Sequence, residues 1–407
     1  MMLSRPAHSI VNLFKAPQIQ QAGLMKRYVH NVGASRTLKR APAAYYRGGT
    51  SRAIMFKTDD LPPDRRDWAP IFLGAIGSPD SNGRQLDGMG GGISSLSKIC
   101  VIGRCPDPEL ADVDYTFAAI GVKDSEVDYS SNCGNMTSAV GPFAIDSGLI
   151  LPPVDGDTTV RIRNTNTNKI IHSTFPVIDG EAQAHGDFAI DGVSGTASRI
   201  QLAFINPAGS RTGKLLPTGN AMDIIDNVKV SMVDCGNPCC FVSAEELGID
   251  GAILPDAAEA HPDLLKRLDS IRRQASVLMG LSKDATSATG SVPKIAMVSR
   301  QKTHQILSGD TMDKEEVDLI VRAVSVGQPH RAVPITVAMA IAAAAKTGGT
   351  VVHALAEKGK QSDANGFTLG HSSGKIVVGA NFENGALKYV TLYRTARRLM
   401  DGMVYWK

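Results

Sequence analysis

Ser131-Asn132-Cys133-Gly134-Asn135 leads directly into the small-residue run Met136–Ile145, and this junction predicts the central helix of the fold. Asn or Ser just before such a run is a helix-capping pattern. Cys133 would therefore lie at a helix N-terminus, where the macrodipole and free backbone N–H groups favour a thiolate and attract a carboxylate. A thiolate there could act as a general base toward a carbon acid. The alternative is a buried structural cysteine, the commoner role of a lone cysteine.

A second small-residue helix is predicted in the other half of the chain, over Pro334–Lys346. Short β-like runs cut by Gly, Asn, Asp and Pro surround both helices, as in Arg52–Lys57. In each half the helix is followed by a strand, and this repeated order is weak evidence for an internal duplication. We predict an α/β chain of the α+β type with two similar domains, 41–185 and 186–407, whose last strand is a candidate to return to the first domain.

The composition is that of a globular protein with room for two domains: 407 residues, 43% hydrophobic and 20% charged. Aromatic content is only 5%, which leaves little to stack on single-stranded nucleic acid. Beyond residue 40 the chain has 36 basic and 40 acidic residues, so DNA binding driven by overall charge is disfavoured. The longest near-apolar run, Ala332–Ala345, is too short for a membrane span and fits a buried helix.

The first forty residues have the makeup of a mitochondrial presequence, because they contain seven Lys or Arg and no acidic residue. The alternative is a plain disordered tail. A presequence predicts the mitochondrial matrix, a reducing compartment in which the six cysteines should mostly be thiols. The cysteine spacing indicates no zinc site, and no metal is predicted.

A glycine run forms the second candidate site. Asp87–Gly92, which includes Gly91 and is followed by Ser97, lacks the dinucleotide fingerprint but indicates backbone close to an anion. Lys98 then opens an apolar strand. Pointing inward, this lysine would be desolvated and could exchange protons; the alternative is a surface lysine at a strand end.

An arginine beside a glycine–hydroxyl turn forms the third candidate. In Tyr46–Arg52, Arg47 precedes two glycines, Thr50 and Ser51, and such a group suits bidentate recognition of a carboxylate. The alternative is a solvated hairpin turn. The pair His330–Arg331 is a weaker candidate, as is the segment His371–Gly374, which contains Ser373.

One segment, Gly209–Leu215, looks like a phosphate-binding loop. Its glycine spacing is one residue short, and Leu215 replaces the Ser or Thr that would bind magnesium. The sequence therefore excludes a nucleotide-binding loop at this position.

Taken together, these residues resemble the PrpF family, which includes 2-methylaconitate, aconitate and 3-methylitaconate isomerases and 4-oxalomesaconate tautomerase. The family belongs to the diaminopimelate epimerase-like superfamily, and the resemblance covers essentially all of residues 42–407. The matching stretches are Arg47–Ser51, Gly77–Asp80, Asp87–Gly91, Ser97–Lys98, Asn132–Asn135, Leu216–Gly219, Val233–Asp234, Asn237–Pro238, Pro293–Lys294, His330 and Arg394–Arg397.

The resemblance implies two domains, each a mostly antiparallel sheet rolled around a central helix, with the active site in the cleft that the helix N-termini face. It implies no metal, nucleotide or pyridoxal cofactor, and it makes Cys133 and Lys98 the acid/base pair. A second cysteine, which the epimerases carry at the other helix start, is absent here, so a two-thiol stereoinversion is disfavoured. The predicted substrate-binding residues are Arg47, Thr50, Ser51, Gly91, Ser97, Asn132, Gly134, Asn135, Thr218, His330, Arg331 and Ser373.

The predicted function is that of a cofactor-independent isomerase. It would move a proton and a double bond in a small unsaturated tricarboxylate such as aconitate or 2-methylaconitate. Two alternatives stay open: a keto–enol tautomerase of an oxalo-substituted tricarboxylate, and a non-catalytic carboxylate-binding protein. No nucleic-acid or membrane partner is predicted, and a homodimer is left open.

Overall fold

The computed structural model describes residues 38–129, 132–151, 155–290, 292–325, 327–356 and 366–407. Residues 1–37, most of the predicted presequence, lie outside these ranges. The helices of the described ranges are α1 Trp68–Ile76, α2 Gly134–Asp146, α3 Pro255–Ala260, α4 Leu264–Leu278, α5 Ile335–Ala345 and α6 Val351–Leu355. None of them is long and apolar enough to cross a bilayer.

Strands make up most of the remaining regular structure. Those before residue 206 are β1 Lys39–Gly48, β2 Ser51–Lys57, β3 Lys98–Arg104, β4 Val113–Ile120, β5 Val127–Asp128, β6 Gly156–Asn164, β7 Lys169–Ile178, β8 Glu181–Ala182 and β9 Ile200–Ile205. Those after it are β10 Asp223–Ile225, β11 Val228–Asp234, β12 Pro238–Ser243, β13 Lys294–Ser299, β14 His304–Gln305, β15 Thr311–Met312, β16 Leu319–Ser325, β17 Gln328–Pro329, β18 Phe367–His371, β19 Gly374–Glu383, β20 Ala386–Arg394 and β21 Ala396–Trp406.

All described strands except the β14–β15 hairpin belong to one continuous sheet. Four pairings in it are parallel, namely β2–β3, β4–β6, β12–β13 and β16–β18, and the others are antiparallel. Strand β9 pairs with β7 on one side and with β20 on the other, which joins the two halves of the chain. The last strand, β21, pairs antiparallel with β1 along most of its length.

The two halves repeat the same order of elements. In the first half, β3 lies parallel to β2 and antiparallel to β4, and α2 follows. In the second half, β13 lies parallel to β12 and antiparallel to β16, and α5 follows. After each helix comes a hairpin whose first strand pairs parallel with a long strand that precedes the helix, β6 with β4 and β18 with β16. The predicted fold class is confirmed.

Each central helix is buried because its residues are small enough for strands to approach from several sides. In α2 every residue from Met136 to Ile145 is buried, and in α5 every residue from Val337 to Ala344. Strands β1, β2, β3, β6, β7, β9 and β21 contact α2, so the sheet wraps around it. Helices α1 and α4 pack on the outer faces of the two halves.

The loop after β9 that looks like a phosphate-binding loop is tied to one buried carboxylate. Asp234 is fully buried and accepts hydrogen bonds from the Ser210 hydroxyl, from the backbone N–H groups of Arg211 and Thr212, both at 2.8 Å, and from Thr212 Oγ1 at 2.9 Å. These N–H groups are therefore not free to hold a phosphate, in agreement with the sequence analysis.

Replacing Asp234 by Asn should destabilise the protein by about 2–3 kcal/mol, because an amide presents an N–H₂ group to donors that now face carboxylate oxygens. Denaturant unfolding of both proteins measures the difference. Asp310→Asn, which removes a carboxylate that accepts from exposed Ser308, is the surface control and should cost far less. Equal stabilities for Asp234→Asn and the native protein would contradict this role.

Candidate active site

The N-terminus of α2 carries the predicted thiol. Cys133 is the N-cap residue with extended backbone (φ −102°, ψ 99°), and its side chain makes no capping hydrogen bond. Its carbonyl oxygen accepts from Thr137 N at 2.9 Å and from Thr137 Oγ1 at 3.0 Å. Cys133 is half-buried, and the backbone N–H groups of the first helical turn lie beside it.

Lys98 lies on the face of β3 that looks toward α2. Side chains alternate along a strand, and Cys100 packs in the core around α2, whereas Ile99 packs against α1 on the other face. Lys98 therefore shares the α2 face with Cys100, and its Nζ lies 5.3 Å from the centroid of the Phe117 ring. The structure places the lysine inward rather than on the outer surface of the sheet.

Cys100 is close enough to Lys98 and to Cys133 to be influenced by both, and Tyr115 lies against it. Burial raises the pKa of the Cys100 thiol, a nearby Cys133 thiolate raises it further, and the Lys98 ammonium lowers it. Both predicted catalytic groups thus lie within electrostatic reach of one buried sulfur. Tyr115, fully buried, accepts a long hydrogen bond from Cys100 Sγ at 3.8 Å. No sequence pattern marks Tyr115, since a core tyrosine is recognised only once its neighbours are known.

The glycine–hydroxyl turn lies on the first turn of α2. Asn135 Nδ2 donates to Thr50 Oγ1 at 3.0 Å, and Gly49 N donates to the Thr395 carbonyl at 2.9 Å. Arg47 Nη1 donates to the carbonyl oxygens of Gly49 and Thr395, both at 3.0 Å, and to Thr395 Oγ1 at 2.9 Å. The Arg47 guanidinium, which was predicted to bind a carboxylate, therefore holds this turn against the β20–β21 junction. Burial, with Arg397 adding to it, lowers the pKa of Arg47.

An arginine that the sequence analysis left without a role stands at this helix end. Arg394 Nε donates to Asn135 Oδ1 at 3.3 Å, and Nη1 donates to the Tyr393 carbonyl at 2.9 Å. No carboxylate in the described ranges pairs with it. Burial lowers its pKa to about 10, so it stays charged at neutral pH. A guanidinium with no acidic partner, beside a helix N-terminus, suits a substrate carboxylate.

The glycine run differs from its predicted role. Gln85 Oε1 accepts from Gly92 N at 2.9 Å and from Ser97 Oγ at 2.7 Å, and Gly90 N donates to the Ile76 carbonyl at 3.0 Å. A Cβ on Gly91 would lie 2.4 Å from Leu96 Cδ1. The run therefore folds against the end of α1, where the close approach favours glycine, and the Gly90 and Gly92 N–H groups and the Ser97 hydroxyl donate hydrogen bonds within the protein.

The start of α5 adjoins the start of α2. A Cβ on Gly134 would lie 2.7 Å from Ile335 Cδ1, so only glycine lets the two helices meet this closely. The N-cap of α5 is Pro334, which offers no side-chain cap and no thiol. Ahead of it, the ring nitrogen His330 Nε2 is buried without a hydrogen-bond partner in the described part of the chain. Burial lowers the pKa of His330, and the nearby Lys294 ammonium lowers it too.

The remaining predicted residues fall into two groups. Some support the site: Asn132 Oδ1 accepts from Thr137 Oγ1 at 3.3 Å, and Ser51 is buried at the start of β2. Others lie at its edge or elsewhere. Ser373 Oγ donates to the Arg331 carbonyl at 2.8 Å, while the exposed Arg331 side chain lies 3.4 Å from Asp256. Thr218 donates to Asp223 at 2.8 Å, and no hydrogen bond in the described ranges joins it to the start of α2.

The same ranges contain six free cysteines and no group of three His, Cys, Asp or Glu side chains that could hold a metal. Two sheet-wrapped helices meet at their N-termini, with a thiol at one of them and an inward lysine on the adjoining strand. Such an arrangement can bind a carboxylate at the helix starts and exchange a proton with it. The chain matches the PrpF protein family over residues 38–407, and it belongs to that family.

Named relatives agree with this assignment. The chain is 38% identical to 3-methylitaconate isomerase of Eubacterium barkeri over 374 residues, covering 90% of this chain and 97% of the relative. It is 39% identical to 2-methyl-aconitate isomerase of Shewanella oneidensis over 383 residues, covering 89% and 96%. The crystal structure of a methylitaconate-delta-isomerase superposes with a TM-score of 0.84 at 37% identity, covering 91% of this chain and 96% of that one.

Gly49→Ala tests whether the turn positions Asn135. Gly49 has φ +52°, and a Cβ there would lie 2.3 Å from Asn135 Oδ1. We expect a loss of stability of about 2 kcal/mol and a drop in kcat/KM of about tenfold. Gly385→Ala is the matched control, since Gly385 has φ +77° with open space around it. Equal kcat/KM values for the two variants would contradict the positioning role.

Proposed function

We propose that the protein is a cofactor-independent isomerase that shifts a proton and a double bond in a small unsaturated tricarboxylate, with aconitate and 2-methylaconitate as the leading substrates. The observation that carries the proposal is the placement of Cys133 at the α2 N-terminus with Lys98 on the inner face of the adjoining strand. Both groups can hold or release a proton, and the helix amides favour negative charge on a bound carboxylate.

The reaction needs only proton movement. One group of the pair removes a proton from the CH₂ beside a carboxylate, and the electron pair of that C–H bond forms a new carbon–carbon double bond. The electrons of the old double bond move toward the carboxylate at its far end, giving a delocalised anion. Reprotonation at the far allylic carbon completes the shift, so nothing is oxidised or reduced. The start of α2 and Arg394 would stabilise the anion.

The assignment of substrate follows from charge and from the relatives. Lys98 and Arg394 have no carboxylate partner in the described ranges, and a polyanionic substrate would supply one. The acids named for the relatives, methylitaconate and methyl-aconitate, are small unsaturated acids of this kind. We also propose a mitochondrial matrix location, supported by the basic, acid-free first forty residues.

A substrate panel tests the function. Protein lacking residues 1–37 is incubated separately with cis-aconitate, 2-methylaconitate, methylitaconate and an oxalo-substituted tricarboxylate, and the products are followed by proton NMR. We expect double-bond isomers from aconitate or its 2-methyl homologue. Turnover of the oxalo-substituted acid alone would indicate a tautomerase. Binding of these acids without turnover would overturn the enzymatic proposal.

A further inference from the structure

Lys294 lies on the inner face of β13, toward α5. Its neighbours along the strand alternate: Ala296 packs in the core around the central helices, while Ile295 packs with α4 on the outside. Lys294 therefore shares the face of Ala296. It is half-buried at the first position of its strand, as Lys98 is at the first position of β3.

The repeat of elements makes the two lysines equivalent. Lys98 opens the strand that lies between β2 and β4, and Lys294 opens the strand that lies between β12 and β16. Each lysine thus stands beside the helix of its own half. The two helices begin side by side, with Gly134 against Ile335, so the two lysines lie on the α2 side and the α5 side of this junction.

Within the described ranges, the surroundings of Lys294 contain an unpartnered polar group and no carboxylate that pairs with the lysine. Its ammonium is near enough to lower the pKa of both His330 and Cys239. His330 Nε2 has no hydrogen-bond partner in the described ranges. Asp234, which also acts on Cys239, directs its oxygens at the loop formed by Ser210–Thr212. A half-buried ammonium without a counter-ion favours binding of an anion.

Within the described ranges, the number of cationic side chains without an acidic partner at the helix starts equals the number of carboxylates in a tricarboxylate. Lys98, Arg394 and Lys294 have no acidic partners in the described ranges, and they stand around two adjoining helix N-termini. We propose that Lys294, with His330 beside it, binds the substrate carboxylate farthest from the α2 end, and so makes the site select tricarboxylates over dicarboxylates. This inference rests on the proposed function and assigns the second half of the chain a binding role in place of a second thiol.

Substitutions at Lys294 test the inference by substrate profile. Lys294→Met should raise KM for the tricarboxylate substrate by about 30-fold or more with a smaller change in kcat, and should change kcat/KM for methylitaconate, a dicarboxylate, by less than about threefold. Lys294→Arg should restore much of the tricarboxylate affinity. Equal losses for both acids, or no loss for either, would overturn the assignment.

Binding measurements separate this inference from the proposed function. Calorimetry with tricarballylate, a saturated tricarboxylate, and with glutarate needs no turnover. We expect Lys294→Met to weaken tricarballylate binding by about 30-fold while glutarate binding is nearly unchanged. That result would support the binding role of Lys294 even if no acid were isomerised. Unchanged tricarballylate binding, with thermal unfolding like that of the native protein, would overturn it.

Discussion

Cys133→Ser should lower kcat by about 10³-fold or more without loss of stability. A hydroxyl replaces the thiol at nearly the same position, but it is a far weaker acid and cannot serve as a base near neutral pH. Serine is also a favoured N-cap residue, whereas the Cys133 side chain makes no cap bond, so the helix should be at least as stable. Steady-state kinetics and denaturant unfolding of the same preparation measure both quantities.

Cys105→Ala is the matched control for the thiol. Cys105 is buried and follows the end of β3, at the opposite end of that strand from Lys98. Its replacement should leave kcat within about twofold, at a modest cost in stability. Full activity in Cys133→Ser would contradict the catalytic role, and the thiol would then be structural.

Lys98→Met should lower kcat by about 10²–10³-fold, because methionine keeps the apolar stem but neither holds nor releases a proton. The packing beside Phe117 is largely kept, so unfolding should change little. Lys98→Arg distinguishes proton transfer from charge alone: an arginine stays protonated, so it should restore substrate binding but not turnover. The rate at saturating substrate measures the effect on turnover, and KM, measured separately, reports the effect on substrate binding.

Lys388→Met is the control for the lysine, since Lys388 is exposed on β20. Its kcat and KM should match those of the native protein. Recovery of turnover in Lys98→Arg would contradict proton transfer and would leave Lys98 with an electrostatic role only.

The sequence predicted the parts of the site that depend on local chemistry. A polar segment before a small-residue run marks a buried helix and places Cys133 at its start, and an apolar run after Lys98 marks a strand. The resemblance added the pairing of these two residues. Both features are present in the structure because the pattern of small and apolar residues acts locally, although no side chain caps the start of α2.

The rest of the site depends on long-range pairing. Arg394 reaches Asn135 across 259 residues of sequence because β20 joins the two halves through β9. The equivalence of Lys294 with Lys98 appears only once both strands are seen in the sheet. The packing of the glycine run also depends on residues outside it, since Gln85 and the end of α1 are its close partners.

Incorporation of deuterium from the solvent tests most directly the claim that the enzyme moves a proton with Cys133. The protein is incubated with cis-aconitate in D₂O over many turnovers, with Cys133→Ser alongside, and proton NMR follows both the isomer formed and the allylic CH₂. A proton-shift isomerase predicts trans-aconitate with deuterium entering the CH₂, and loss of both effects in the variant. Trans product that keeps only protium through many turnovers, or exchange that persists in Cys133→Ser, would contradict the account.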